Sequence, residues 1–234
     1  KCGAVMEREK RLQGIVFLGG RFDYTPADLA MLNVPFVCCS YSNRYGTLIE
    51  GEYSSVSIAD GDTAQQAVEE LYRHGHRRIA ALISRPDDQS ISQLRYEGYV
   101  QALESHGIPV DPELVISTGG FGAKDAYRAV QEKMAENVDF TALFAIADSM
   151  AIGAMRALMD AGRRIPEDCS VIAIDGLELS AYIEPPLTTL CQPMEEMGRR
   201  SAEILLDMVR HKGSHACELL PTTLRQGRSV AAPR

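Results

Sequence analysis

Two apolar runs of this chain are each followed by a carboxylate, and these two carboxylates are the first candidates for a binding site. Asp148 follows the run at residues 143–147, and Asp175 follows the run at 170–174. Such continuous apolar runs are typical of parallel strands that are covered on both faces. Because ligands of open α/β sheets bind at the carboxyl ends of the strands, both carboxylates are expected at a ligand-binding edge. Asp175 can accept hydrogen bonds from two neighbouring hydroxyls of a sugar or a ribose, or it can cap the turn that follows.

Asp148 stands directly before a helical segment and is expected to be its N-cap. An N-cap carboxylate accepts a hydrogen bond from the free N–H groups of the first turn, and Gly162 is placed as the C′ residue at the other end. A structural cap is thus a better interpretation of Asp148 than a catalyst. The sequence shows no Ser-His-Asp order, no Cys-His pair and no paired carboxylates at a nucleophile turn. We therefore predict no catalytic residues and no enzymatic activity.

The elements that position these residues alternate along the chain. Strands are predicted at 14–18, 35–39, 55–58, 79–83, 114–117, 141–146, 170–174, 216–220 and 222–226. A helix is predicted to end within 7–13, and others to span 26–32, 62–74, 92–106, 123–136, 149–161 and 195–210, with a short turn at 179–183. Strands that alternate with helices favour parallel sheets joined by right-handed crossovers. The predicted fold class is therefore α/β.

Composition and charge restrict the class of function. The 234 residues include 24 Lys and Arg against 32 Asp and Glu, a net charge of −8, so electrostatics alone makes this chain a poor nucleic-acid binder. No segment approaches the ~18–20 apolar residues of a membrane span, and the charged start at residues 1–10 is unlike a signal peptide. The six cysteines show no C-x-x-C spacing, which favours reduced thiols in a cytoplasmic protein and no metal or cofactor site.

Four segments resemble, in order and spacing, sequence signatures of the LacI/GalR family, named after the lactose repressor. Residues 71–80 (LYRHGHRRIA) resemble "L-x-x-x-GHRRIA", and 95–103 resemble "RxxGYxxAL". Residues 147–154 (ADSMAIGA) resemble "ANDxMAxGA", and 185–198 resemble "PPLTTxxQPxxxMG". One such motif would be weak evidence, but the four in register cover nearly the whole chain.

The resemblance implies a periplasmic-binding-protein-like core of type I, with two doubly wound parallel-sheet lobes. The N-terminal lobe would hold residues 1–58 plus 191–220, and the C-terminal lobe 59–190 plus 221–234. The chain would cross between lobes three times, with hinges at 58–61 and 191–193 and a third crossing near 220–221. Family members carry a helix-turn-helix head, a hinge helix and a strand–helix–strand before the point where this sequence begins. The N-terminal lobe is therefore expected to be incomplete in this sequence.

The resemblance also assigns ligand contacts. Arg95 matches the family's ligand-binding arginine, although a surface arginine would be the ordinary interpretation; its guanidinium offers a rigid fork of donors. Asp175 matches the first Asp of "VGFDD", in which Gly176 replaces the second. Phe121, within the segment 119–122 (GGFG), matches a position where a ring stacks on the ligand, while a flexible loop is the alternative.

Two further positions in the expected site depart from the family. Ala147 stands where the family usually has an Asn that often binds the ligand, so we expect an effector that is smaller, less hydroxylated or differently bound. Ser40 falls near a position that is often Asp and can still exchange one hydrogen bond with a ligand. Ile152 and Tyr182 match positions of the C-terminal dimer interface; without the resemblance, Ile152 would be assigned to the core.

The leading hypothesis is the effector-binding and dimerisation core of a bacterial transcriptional regulator. A small polar effector, with a sugar favoured, would bind between the lobes of a homodimer and change operator binding by the absent head, through a coupling of typically ~1–3 kcal/mol. The alternative is a transport-associated periplasmic sugar-binding protein, which would need a secretory signal. An α/β enzyme ranks last because no nucleophile, metal cluster or dinucleotide fingerprint occurs.

Overall fold

The structure is a computed structural model, and it describes residues 12–19, 22–30, 32–49, 51–211 and 213–234. The predicted helix end at 7–13 lies almost entirely outside these residues. The described strands are β1 (Ile15–Leu18), β2 (Phe36–Cys39), β3 (Ser54–Ser57), β4 (Ile79–Ile83), β5 (Val115–Ser117), β6 (Ala142–Ala145), β7 (Ser170–Asp175), β8 (Thr188–Cys191), β9 (Cys217–Leu219) and β10 (Thr223–Arg225). The described α-helices are α1 (Pro26–Leu29), α2 (Asp60–Arg73), α3 (Ile91–Ser105), α4 (Ala123–Ala135), α5 (Asp148–Asp160) and α6 (Met194–His211), and short 3-10 turns span Pro112–Leu114 and Glu178–Ala181.

The chain folds into two compact units, each built on one sheet. The first unit comprises the described residues up to Ala59 together with Gln89–Ile91 and Pro193–Pro221. The second unit comprises Asp60–Asp88, Ser92–Gln192 and Thr222–Arg234. The chain therefore passes several times from one unit to the other. Asp60 is the first residue of the second unit, and Gln192 is the last residue of its segment Ser92–Gln192.

The sheet of the first unit has four parallel strands in the order β1-β2-β3-β9. Helix α6 packs against β1, β2 and β3. Its buried side chains Met197, Ile204 and Met208 recur every four to seven residues, which puts them on one face of a helix. Their burial against the sheet explains why this amphipathic segment is helical in its tertiary context.

The sheet of the second unit has the strand order β10-β8-β7-β6-β4-β5, in which only the pairing of β10 with β8 is antiparallel. The three strands β4, β6 and β7 are almost fully buried, as their continuous apolar sequences predict. Helix α2 packs on β6, β7 and β8, while α5 packs on β6 and β7. The predicted α/β fold is confirmed.

Glycines bring two helix pairs of the second unit into close contact. A Cβ atom built on Gly98 of α3 would lie 2.1 Å from the carbonyl oxygen of Gly61 in α2. A Cβ atom on Gly153 of α5 would lie 2.0 Å from the carbonyl oxygen of Ala123 in α4. The first approach matters for the site, because Arg95 lies one turn before Gly98 and thereby comes next to the start of α2.

Helix α2 begins at Asp60, two residues before the predicted start.

None of the described helices is both long and apolar enough to span a lipid bilayer.

Candidate functional site

The buried side chain of Arg95 is the centre of a polar cluster at the carboxyl end of β7. Arg95 is 1% exposed, and its Nε donates to Asp60 Oδ1 over 2.9 Å. Its Nη1 donates to Asp175 Oδ1 over 3.2 Å and also to the carbonyl oxygen of Ile146. Its Nη2 is buried and has no hydrogen-bond partner among the described residues. A buried guanidinium with one unused nitrogen is an unusual feature, because a donor left without an acceptor in the protein interior costs about 1–3 kcal/mol.

Asp175 is held in an uncommon backbone conformation, with φ at 136°. Residues other than glycine occupy this region rarely, and the surrounding structure must compensate for the strain. Gln192 supplies that support, because its backbone N–H donates to the Asp175 carbonyl oxygen over 3.0 Å and its Nε2 donates to Asp175 Oδ1 over 2.7 Å. The other carboxylate oxygen, Oδ2, accepts no hydrogen bond from the described residues. Asp175 therefore offers one free acceptor on the carboxylate that Arg95 contacts through Nη1.

The charges of this cluster are unbalanced. Burial lowers the pKa of the Arg95 guanidinium, but the carboxylates of Asp60 and Asp175 outweigh burial and raise that pKa above its ordinary value. Burial raises the pKa of Asp60, against the opposing effect of Arg95. Two carboxylates share one guanidinium, so the three groups carry a net negative charge when all are ionised.

Gly176 follows Asp175 with φ at 76°. A Cβ atom at this position would lie 2.5 Å from Cys191 Sγ and 2.7 Å from Cys191 Cα. The close approach of β8 therefore requires a glycine where the "VGFDD" pattern has a second Asp.

The prediction that Asp148 is an N-cap is wrong. The N-cap of α5 is Ala147, and Asp148 is the first helical residue. The fully buried carboxylate of Asp148 instead accepts hydrogen bonds from three groups of the sheet edge. These are Thr189 Oγ1 at 2.6 Å, Ser180 Oγ at 2.7 Å and the N–H of Leu177 at 2.8 Å. Burial raises the pKa of Asp148, and these donors oppose that rise. Three strong donors satisfy a buried carboxylate better than the one bond of a cap, which is the physical reason for the difference.

The remaining predicted contacts belong to three different segments of the chain. Ala147 is buried and follows Ile146, whose carbonyl accepts from Arg95. Phe121 lies in the loop between β5 and α4, is 40% exposed, and has its carbonyl oxygen fixed by Ser149 Oγ at 2.8 Å. Ser40 belongs to the first unit, where it follows β2 with φ at 57°. The structure thus joins Arg95 and Asp175 directly, and it joins neither to Phe121 nor to Ser40 by a hydrogen bond within the described chain.

The two positions predicted at a dimer interface are on the second unit. Ile152 is half-buried on α5, and Tyr182 is 77% exposed directly after the turn Glu178–Ala181. Leu179 in that turn is also exposed, at 64%.

Sequence reasoning missed Asp60 and Gln192 as members of the cluster. Both were assigned to hinge segments only. A polar residue at each predicted hinge was the available signal, but its partner, Arg95 or Asp175, lies elsewhere in the sequence. Within the described part of the chain, no group of three or more His, Cys, Asp or Glu side chains could hold a metal ion.

Comparison with known proteins places this arrangement in a family. The family described as "Periplasmic binding protein-like domain" matches residues 68–230. The HTH-type transcriptional regulator MalR of Clostridium butyricum is 35% identical over 218 residues, which make up 93% of this chain and 64% of MalR. This chain therefore spans less than two thirds of the length of that relative.

Solved structures agree with the sequence comparison. The transcriptional regulator CelR in complex with cellobiose superimposes with a TM-score of 0.86 at 31% identity, covering 97% of this chain and 68% of that one. A LacI family transcriptional regulator from Enterococcus faecium with bound ribose gives a TM-score of 0.83 at 27% identity, covering 99% of this chain and 84% of that one. The fold, the four motifs and these relatives therefore agree that the chain belongs to the periplasmic-binding-protein-like family and, within it, to the LacI family of transcriptional regulators.

Proposed function

We propose that this chain is the effector-binding and dimerisation core of a LacI-type transcriptional regulator and that it binds a small, polyhydroxylated effector. The unpaired, buried Nη2 of Arg95 carries this proposal. It provides a donor, and the free Oδ2 of Asp175 provides an acceptor on the carboxylate that Arg95 Nη1 contacts at 3.2 Å. A hydroxyl group both donates and accepts, so neighbouring hydroxyls of one sugar satisfy both atoms.

The charge of the cluster selects among polar ligands. Asp60 and Asp175 outnumber Arg95 as charged groups, so an anionic ligand such as a sugar phosphate meets repulsion in a partly desolvated place. A neutral sugar or nucleoside meets none. The cellobiose and ribose that the structural relatives hold are neutral and hydroxyl-rich, which supports the same class of effector for this chain.

Phe121, Ala147 and Ser40 remain predicted ligand contacts. The exposed ring of Phe121 is available to stack on the C–H face of a sugar. Ala147 contributes a methyl group near Arg95 and no hydrogen bond, which favours an effector with fewer hydroxyl groups on that side.

The regulatory step we propose is a population shift in a cytoplasmic homodimer. Effector occupancy favours one arrangement of the two units, which we take to be the two lobes of the family, and so changes operator binding by a DNA-binding head. The chain carries a net charge of −8, so the operator contacts are assigned to that head. The relatives are named as transcriptional regulators, which favours this function over the transport-associated alternative.

A thermal-shift screen of the full-length protein tests the proposal. Neutral sugars, nucleosides and sugar phosphates are compared, and a neutral compound at about a hundred times its Kd is expected to add about 2.7 kcal/mol of stability. Asp175→Ala should abolish this shift, whereas Asp168→Ala, which changes a partly exposed carboxylate paired with Arg164, should retain it. A normal shift in Asp175→Ala would remove Asp175 from the site, and a preference for phosphates would contradict the charge argument.

A further inference from the structure

A continuous line of hydrogen bonds runs through the second unit from one of its chain boundaries to another. It begins at Asp60, the first residue after the chain enters this unit from Ala59, and it ends at Gln192, the last residue before the chain leaves at Pro193. Asp60 Oδ1 lies 2.9 Å from Arg95 Nε, Arg95 Nη1 lies 3.2 Å from Asp175 Oδ1, and Asp175 Oδ1 lies 2.7 Å from Gln192 Nε2. We call these four residues the Asp60–Gln192 relay.

Two properties of the relay make its members depend on one another. Asp60 and Arg95 are 4% and 1% exposed, so their interaction is only weakly screened by water and each polarises the next bond. Asp175 Oδ1 is shared, because it accepts from both Arg95 and Gln192. A movement of the Asp175 carboxylate therefore changes the bonds to both residues at once.

The same two central residues carry polar atoms that have no hydrogen-bond partner in the described chain. Arg95 Nη2 has no partner among the described residues, and Asp175 Oδ2 accepts no hydrogen bond there. Each outer residue bonds the central pair through one side-chain atom, Asp60 through Oδ1 and Gln192 through Nε2. A ligand that binds Arg95 and Asp175 would therefore also change the hydrogen bonds that these two residues make to Asp60 and Gln192.

We propose that Asp60 and Gln192 are positioning residues of the effector response, which hold Arg95 and Asp175 and transmit occupancy to two points where the chain passes between its units. This inference rests on the proposed function for its ligand, but the coupling between the two ends is a property of the free protein. By linkage, a change at one end alters the other end reciprocally.

Hydrogen exchange of the ligand-free, full-length protein tests the coupling. Asp60→Asn should raise the exchange rate of the Gln192 amide, which donates to the Asp175 carbonyl oxygen, by about twofold or more, since coupled neighbours of this kind interact by about 0.5–3 kcal/mol. No hydrogen bond joins Asp60 to β8 within the described chain, so a purely local role would leave that amide unchanged. Reciprocally, Gln192→Met should raise exchange in the second turn of α2, where the N–H groups first donate to carbonyl groups of the turn that begins at Asp60. This second variant keeps the test decisive if Asp60→Asn fails to fold.

Matched controls exist in the same unit. Asp168→Asn removes the charge of a carboxylate that is also bonded to an arginine, Arg164, at 2.7 Å. Gln226→Met removes an amide that also donates to a carboxylate, Glu70, at 3.4 Å. Neither should alter exchange at Gln192 or in the second turn of α2, because Glu70 lies in the last turn of that helix. A double-mutant cycle of Asp60→Asn with Gln192→Met should be non-additive, while the cycle of Asp60→Asn with Gln226→Met should be additive.

A response assay with ribose and cellobiose as probes separates this inference from the proposed function. Each relay variant should bind more weakly the sugar that the wild type binds, because Arg95 and Asp175 are then less well held. Even when saturated with that sugar, it should lose about tenfold in the ratio of operator affinities with and without sugar. An additive Asp60–Gln192 cycle with unchanged exchange overturns the relay, even if a sugar releases the operator. A non-additive cycle in a protein that binds neither sugar supports the relay and counts against a sugar effector.

Discussion

The buried carboxylate of Asp148 connects several segments of the second unit. Its carboxylate joins the start of α5 to the turn after β7 and to β8, through Leu177, Ser180 and Thr189. Arg225 of β10 lies near the same carboxylate, with Nη2 4.0 Å from Oδ2. Because Leu177 is only two residues after Asp175, this network also fixes the backbone on the C-terminal side of the proposed ligand contact.

Replacement of Asp148 by alanine is expected to lower the free energy of unfolding by about 2–4 kcal/mol, because two buried hydroxyl donors and one part-buried N–H group would lose this acceptor. Urea unfolding measures the change. Asp160→Ala is the control, since Asp160 lies on the same helix but is bonded to Arg156 and Tyr127 at the surface; it should cost much less. Equal losses in the two variants would contradict the assigned role of Asp148.

At the scale of elements, two glycines determine how closely helices approach each other. Gly98 lets α3 pack on the first turn of α2, and Gly153 lets α5 pack on the first turn of α4. The first contact brings Arg95 to Asp60, so the spacing of arginine and glycine in the "RxxGY" motif has a packing reason. The second contact lies beside the loop that carries Phe121. Helix packing therefore sets the positions from which the proposed ligand contacts reach the sheet edge.

Gly153→Ala should destabilise the protein by about 1–3 kcal/mol, because the added methyl group would overlap the Ala123 carbonyl and force the helices apart. Gly198 provides the opposite control. It lies inside α6, and a methyl group added there would meet no atom within 4 Å, so Gly198→Ala should stabilise the protein by about 0.5–1 kcal/mol through helix propensity. Thermal and urea unfolding of both variants check the signs; a stabilising Gly153→Ala would refute the close helix contact.

At the scale of the whole molecule, exposed apolar residues bear on the proposed dimerisation, and a buried histidine bears on how stability depends on pH. Leu179 and Tyr182 place two large exposed side chains within four residues of one another on the second unit. His76 is buried in the same unit, where its ring nitrogens lie 2.9 Å from Thr141 Oγ1 and 2.8 Å from the Ala231 carbonyl oxygen. The latter contact ties the end of the chain to the start of β4.

Tyr182→Asp is expected to weaken the proposed homodimer, because a charge would be buried in an apolar contact. Sedimentation velocity should show a dimer for the full-length wild type and a shift toward monomer for the variant. Leu206→Asp, at an exposed position of α6 in the first unit, serves as the control. A Tyr182→Asp protein that remains as dimeric as the control would remove this surface from the interface.

The contribution of His76 to the stability of the protein should fall as the pH is lowered through the range in which histidine titrates. Burial lowers the pKa of His76 below its ordinary value of 6.5, so the unfolded chain takes up this proton first as the pH falls. The stability that neutral His76 contributes is therefore present above pH 6.5 and is lost below it. Between about pH 5 and pH 7, the free energy of unfolding should change less steeply with pH in His76→Gln than in the wild type. An unchanged slope in His76→Gln would contradict the prediction.

The sequence by itself determined the α/β fold and the family. Continuous apolar runs are buried whatever their exact neighbours are, so β4, β6 and β7 could be recognised as covered parallel strands. Local chemistry also sufficed for the end of α5, where Gly162 adopts φ of 82° as a C′ residue. The motifs pointed to Arg95 and Asp175, and the structure brings these two side chains together.

Only the tertiary structure decided which polar groups satisfy one another. The partners in the relay are separated by 35, 80 and 17 positions along the chain, and no local pattern encodes such pairings. Asp148 was wrongly predicted to be an N-cap because a local hydrogen bond was the only partner that the sequence could offer. Burial imposes a stronger requirement than capping: a carboxylate without water needs every donor that folding brings near it, and those donors come from distant strands and turns.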